Sequence, residues 1–144
     1  ARYTPLDGVE RPTSPDVRHM TTVILGASEI DTGLLGLLGG SVKLRYASGQ
    51  PTTPYDHAAS RALDRGIIDT DRVNAQRLSD YLRIDVRLDR RDNFSWGAIT
   101  SYVEMQNVTG RRNVAARLYD SDTHSVEDVT HWGRFFVGGV KVEL

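Results

Sequence analysis

Three features are absent or scarce in this chain of 144 residues: cysteine, long apolar runs and lysine. Because there is no cysteine, the chain has no disulfide bonds, no thiolate metal ligands and no cysteine nucleophile. No run approaches the roughly 18 consecutive apolar residues that mark a transmembrane helix. Lysine occurs only as Lys43 and Lys141, and the formal net charge of −1 lacks the basic excess of a protein that binds nucleic acid through bulk charge.

The residue types that carry out catalysis or bind metals are dispersed along the chain. The four histidines have no paired ligand spacing; they are His19, His57, His124 and His131. Ser48, Asp56 and His57 have the side chains of a hydrolase triad, but no Gly-x-Ser-x-Gly turn presents the serine. We therefore expect a protein that is not an enzyme and that has neither a metal nor a cofactor.

Alternating apolar and charged side chains form the clearest pattern, in residues 80–89. A period of two predicts a β-strand with one apolar face and one charged face. The same period runs through residues 38–46 and 135–144, and more weakly through residues 18–27 and 96–106. The sequence therefore predicts an all-β fold of about five antiparallel up-and-down strands. No long helix is expected, although residues 58–63 could form a short one.

The connections between these strands alternate in length. They lie near residues 28–37, 47–79, 90–95 and 107–133. Outer-membrane barrels show this alternation, because their periplasmic turns are short and their outer loops are long. Unstructured loops as long as the second and fourth connections are unusual in a compact soluble domain.

The charged face of the 80–89 strand carries both signs in alternation, which suits a polar lumen in which the charges pair with one another. The residues predicted to face the lumen are Arg83, Asp85, Arg87, Asp89 and Glu104, and those predicted to face lipid are Val42, Leu44, Leu82, Ile84, Val86, Leu88, Val140, Val142 and Leu144. Five strands are too few to close a barrel, for which about eight is the practical minimum. We interpret residues 1–144 as one partial transmembrane barrel. Because open edges leave backbone groups unpaired in lipid, we expect the chain alone to be unstable in a membrane.

Four stretches carry a family resemblance. They are Pro15-Asp16-Val17-Arg18-His19, residues 45–56 with Ser48-Gly49-Gln50-Pro51, residues 81–87 followed by 102–113, and the final Gly139-Val140-Lys141-Val142-Glu143-Leu144. In order and spacing they resemble the C-terminal barrel strands of TonB-dependent outer-membrane receptors, over essentially the whole chain. The last stretch resembles the assembly signal of such barrels, at Gly139, Val142 and Leu144, although that family usually ends in an aromatic residue.

The resemblance implies a barrel of about 22 strands whose lumen holds a plug that precedes these residues in the chain. It implies energy-coupled uptake of a nutrient across the bacterial outer membrane. The implied partners are outer-membrane lipid, the plug with the remaining strands, the outer-membrane assembly machinery, and an inner-membrane energy-coupling complex that engages the plug. Nucleic acid is not among them.

A soluble all-β binding module is the alternative interpretation, with its long loops carrying recognition. In such a module the apolar strand faces would bury one another, whereas in a membrane they would form an outward band. Loop residues are candidates for ligand contacts in either case, though most such residues are merely solvated; they are Tyr55, Asp56, His57, Arg111, Arg112 and Tyr119.

Overall fold

The computed structural model of the protein describes residues 2–5, 8–33 and 36–144. In chain order its elements are β1 (Arg2–Tyr3), β2 (Arg11–Pro12), β3 (Met20–Asp31), β4 (Leu37–Ala47), β5 (Pro51–Thr52), α1 (His57–Ala62), a 3-10 turn (Thr70–Arg72), β6 (Gln76–Arg77), β7 (Tyr81–Phe94), β8 (Gly97–Gln106), β9 (Val114–Asp120), β10 (Ser125–Thr130) and β11 (Phe135–Glu143). The prediction of an all-β fold with antiparallel strands is confirmed.

The chain forms two compact units. The hairpin unit takes the chain up to Met20, together with Ala47–Tyr81 and Arg112–His131. The sheet unit takes Thr21–Tyr46, Leu82–Arg111 and Trp132–Leu144. The chain thus passes repeatedly from one unit to the other, because the connections between long strands contribute to the hairpin unit.

The sheet unit is built on five long strands in the order β11-β8-β7-β4-β3. Each strand lies beside the strand that precedes it in the chain among these five, which is an up-and-down topology. All five are the strands that the alternating pattern predicts. The sheet is open, with β3 and β11 as its edges, and no closed barrel forms within the described residues.

The end of β7 lies later than the sequence predicts. The strand continues through residues 90–94, so the link predicted at 90–95 is wrong, and the turn to β8 consists of Ser95 and Trp96. Arg90 and Asp92 favour a turn in the sequence because they interrupt the apolar alternation. In the structure Nη2 of Arg90 lies 2.7 Å from Oδ1 of Asp92, and this ion pair runs along the strand.

The predicted link at residues 28–37 is also shorter than expected. β3 continues to Asp31, and β4 begins at Leu37. The carboxylate of Asp31 accepts a hydrogen bond from the backbone N–H of Gly33, at 2.8 Å, and so helps to begin the turn. Leu34 and Leu35, within the same predicted link, lie outside the described residues.

The hairpin unit contains secondary structure that the long-loop prediction misses. β9 and β10 pair as an antiparallel hairpin, and β5 pairs with β6. The short helix that residues 58–63 could form is present as α1. Asp56 caps it by accepting hydrogen bonds from the N–H groups of Ala58 and Ala59, both at 3.0 Å. Ser60 is fully buried, and its hydroxyl accepts from the N–H of Ile67 at 2.9 Å.

Candidate functional site

The register between strands divides the five-stranded sheet into two faces. Directly opposed residues of an antiparallel pair project from the same face. Leu88 of β7 is opposed to Val103 of β8, and the next residue along, Arg87, is opposed to Glu104. One face is therefore apolar and the other is polar, as the alternation predicts.

The residues predicted to face lipid lie on the apolar face. Leu82, Ile84, Val86 and Leu88 share it by alternation along β7, and Val140 and Val142 share it through Ser101 and Ile99 of β8. A Cβ atom built on Gly40 would lie 3.2 Å from the side chain of Leu88, which assigns Val42 and Leu44 to this face as well. Leu144 follows the last strand and is fully exposed.

No layer in the described part of the chain covers much of this apolar face. Leu88 is 60% exposed, Val140 66% and Val142 55%. Among the described residues with aliphatic or aromatic side chains, only Pro51 and Ala98 are buried. A water-soluble domain of about 150 residues would bury roughly 70% of its unfolded surface around an apolar core. The apolar residues of β7 that precede Leu88 are half-buried, so the mostly exposed part of this face lies around Leu88 and β11.

The polar face carries paired charges along β7. Nε of Arg83 lies 2.5 Å from Oδ1 of Asp85, and Nε of Arg87 lies 3.5 Å from Oδ1 of Asp89. The fifth residue predicted for this face, Glu104, is opposed to Arg87 and accepts a hydrogen bond at 2.9 Å from the side-chain amide of Gln106. The predicted ion pairing is thus present, but it runs along the strand more than across strands.

Arg91, Tyr102 and Glu143 also make contacts on the polar face. Arg91 of β7 reaches across β8 to Glu143 of β11, with Nη1 2.5 Å from Oε2. The guanidinium of Arg87 lies 3.8 Å from the centroid of the Tyr102 ring, a cation–π contact. Arg91 and Glu143 are separated by 52 positions in the sequence, so only the order of the strands in the sheet brings them together.

The residues of the predicted assembly signal do not share a face. Gly139 lies on the polar face opposite Tyr102, and Val142 lies on the apolar face opposite Ile99. A Cβ atom on Gly139 would lie 2.7 Å from the hydroxyl and from Cε1 of Tyr102. The Tyr102 ring therefore lies over Gly139 and occupies the volume that a side chain there would take.

A buried polar cluster ends β8. Asn107, 2% exposed, has a positive φ of 52° and donates its backbone N–H to Oδ1 of Asp85 at 3.0 Å. Its side-chain amide donates to the carbonyl of Arg111 at 3.0 Å and accepts from the hydroxyl of Thr109 at 3.2 Å. Asp85 is 3% exposed, and within the described residues its Oδ2 atom has no hydrogen-bond partner. The cluster fixes the point at which the chain leaves the sheet.

Two of the residues considered for catalysis, Ser48 and Asp56, form local backbone hydrogen bonds. The hydroxyl of Ser48 accepts hydrogen bonds from the backbone N–H groups of Arg18 and His19, at 2.9 and 3.1 Å. Asp56 is the helix cap, so this serine and this carboxylate are each engaged elsewhere. Across the described residues, no three histidine or acidic side chains converge in a way that could hold a metal ion. None of the helices that the structure describes has the length and apolar character needed to cross a membrane.

Comparison with protein-family models, with curated proteins and with solved structures finds no match to this chain.

Proposed function

We propose that this chain forms the C-terminal part of the wall of a TonB-dependent receptor, a plugged barrel that takes up a nutrient across the bacterial outer membrane. The uncovered apolar face of the sheet, opposite a face of paired charges, is the observation that carries the proposal. Leaving apolar surface in water costs about 25 cal/mol per Å². In a bilayer that cost vanishes, and the paired charges of the other face would line the lumen and meet the plug.

Strand length supports a membrane-spanning role. The five strands of the sheet contain between 9 and 14 residues each. Strands of soluble proteins most often have about 5 or 6 residues. A tilted strand needs roughly 9 to 11 residues to cross the hydrocarbon core of a bilayer. All five strands meet that requirement.

The two open edges support the proposal that further strands complete the barrel. Every residue of β3 is exposed along its 12 positions. A long apolar edge strand offers its unpaired backbone groups to any other strand and favours aggregation in water. In lipid each unpaired group costs several kcal/mol. Pairing of β3 and β11 with strands outside these residues would remove both the aggregation in water and the unpaired backbone groups in lipid. Without such strands, the sheet alone is unfavourable in a membrane.

The connections give the barrel an orientation. The turn at Ser95 and Trp96 and the short link between β3 and β4 lie at one end of the sheet, and residues 48–80 and 107–134 connect strands at the other end. Because periplasmic turns are short and outer loops are long, the second end would face outward. The C-terminus would then lie on the periplasmic side.

A soluble β binding module remains the second candidate, because the long connections form a compact unit rather than open loops. Such a module would need a partner layer over the apolar face. It would take up its ligand in solution, without an energy-coupling complex.

Fractionation of the gene product that contains this chain, combined with epitope labelling, separates the two candidates. An epitope inserted after Asp64, in the connection between β4 and β7, should be labelled on intact cells. A matched epitope in the turn at Ser95 should be labelled only after the outer membrane is permeabilised. Recovery in the soluble fraction, or equal labelling of both epitopes on intact cells, would discard the barrel and favour the soluble module.

A further inference from the structure

The hairpin unit contains a cavity that the role of the sheet does not explain. Its volume is about 430 Å³, and small-molecule sites typically have about 300 to 1,000 Å³. The cavity lies between the β5–β6 pair, the residues leading into α1, and one face of the β9–β10 hairpin. The lining residues that matter below are Thr52, Tyr55, Gln76, Arg117, Val126 and Asp128.

Strand register builds the charged wall of the cavity. Arg117 of β9 is directly opposed to Asp128 of β10, so both side chains project from the same face of the hairpin. Nε of Arg117 lies 3.1 Å from Oδ1 of Asp128, and Nη1 donates to the side-chain carbonyl of Gln76 at 3.2 Å. The hydroxyl of Tyr55 donates to the backbone carbonyl of Arg117 at 3.3 Å. These bonds hold the wall in one arrangement before any ligand arrives.

Several polar atoms of this wall keep hydrogen-bonding capacity for a ligand. Within the part of the chain that the structure describes, the Gln76 amide nitrogen, the second oxygen of Asp128 and the Thr52 hydroxyl make no hydrogen bond to another residue. They supply a donor, an acceptor and a group that can act as either. Arg117 is 31% exposed and Asp128 46%, so both remain accessible.

Charge and shape narrow the class of ligand. The lining holds one basic and one acidic residue, Arg117 and Asp128, besides the imidazole of His57. Because the charges of the ion pair cancel, an anion would meet the carboxylate and a cation would meet the guanidinium. An apolar ligand would leave the donors and acceptors unpaired, at about 1–3 kcal/mol for each group that is desolvated. The Tyr55 ring and Val126 add apolar surface beside these polar groups.

We propose that this cavity binds a neutral polyhydroxylated molecule, that is, a sugar. Each hydroxyl of a sugar both donates and accepts a hydrogen bond, and its C–H surface can pack on an aromatic ring. The site is formed within the hairpin unit and stands whether the apolar face of the sheet meets lipid or a partner protein.

Isothermal titration calorimetry on the folded gene product that contains this chain, with glucose, galactose and maltose as probes, tests the site. The key variant is Asp128→Asn, which keeps the shape and removes the charged acceptor. Hydrogen bonds to charged groups contribute about 1.5–3 kcal/mol, so binding should weaken roughly 10- to 100-fold. The matched control is Glu127→Gln, one position away on the opposite face of β10, and it should bind as the unaltered chain does.

A melting curve for each variant separates lost binding from lost folding. If Asp128→Asn does not fold, Thr52→Val takes its place, because it removes one hydroxyl without breaking the Arg117 pair. The proposal is overturned if the folded gene product binds none of the three sugars, if Glu127→Gln weakens binding as much as Asp128→Asn, or if the anion gluconate binds more tightly than glucose.

Discussion

Replacing Val140 by arginine tests whether the apolar face of the sheet meets lipid. Val140 lies near the middle of β11, is 66% exposed and is opposed to Ser101 on the apolar face. An arginine facing lipid near the bilayer midplane destabilises an outer-membrane barrel by about 2–4 kcal/mol. The same change at an exposed position in water usually shifts stability by less than about 0.5 kcal/mol. The two environments thus differ by several-fold in the expected effect.

Val137→Arg is the matched control, because it makes the same substitution in the same strand on the other face. Val137 is opposed to Glu104, so an arginine there gains a carboxylate partner and should change stability little. Both variants of the gene product that contains this chain would be folded into lipid vesicles and unfolded with guanidinium. A loss of about 2–4 kcal/mol for Val140→Arg and almost none for Val137→Arg is expected. Equal effects, or the larger loss at Val137, would refute the assignment of the faces.

Three further changes test local features of the structure. Gly139→Ala should lower the free energy of unfolding by about 1–3 kcal/mol, because its Cβ would overlap the Tyr102 ring. Gly138→Ala is the control and should leave stability unchanged, because its Cβ would have its nearest neighbour at 3.5 Å. Equal melting temperatures of the two variants would contradict this reasoning. In guanidinium titrations Asn107→Ala should lower the free energy of unfolding more than Asn107→Gly, because only glycine adopts the positive φ of this position freely. The reverse order would show that backbone strain does not set the stability of these variants. A hydrogen bond from a backbone N–H two residues further on lowers the pKa of Asp120 below its usual value. The contribution of Asp120 to stability should therefore be present above the usual pKa of an aspartate and fade as the pH falls. Melting of Asp120→Ala and of the unaltered chain should therefore converge in acid, and a constant difference would argue against the bond.

Local pattern was sufficient to predict the five strands and their two faces. In a strand the side chains alternate between faces at every residue, so the positions of Leu82 to Leu88 and of Arg83 to Asp89 follow from the backbone alone. The alternation of short and long connections is also visible in the chain, and it predicts the up-and-down order. Where the alternation fails, as at Arg90 to Asp92, so does the prediction of the strand end.

Long-range contacts were needed for the rest, because no local pattern records which residues meet across strands. The sheet order brings Arg91 to Glu143, and the register between β8 and β11 sets the Tyr102 ring over Gly139. The sequence of β9 and β10 alternates only weakly and does not predict this hairpin, which is identified from the pairing of the two strands. The strands, their faces and their order therefore follow from the alternation along the chain. The partners of each side chain follow only from the folded structure, because neighbours across a sheet depend on register and not on residue type.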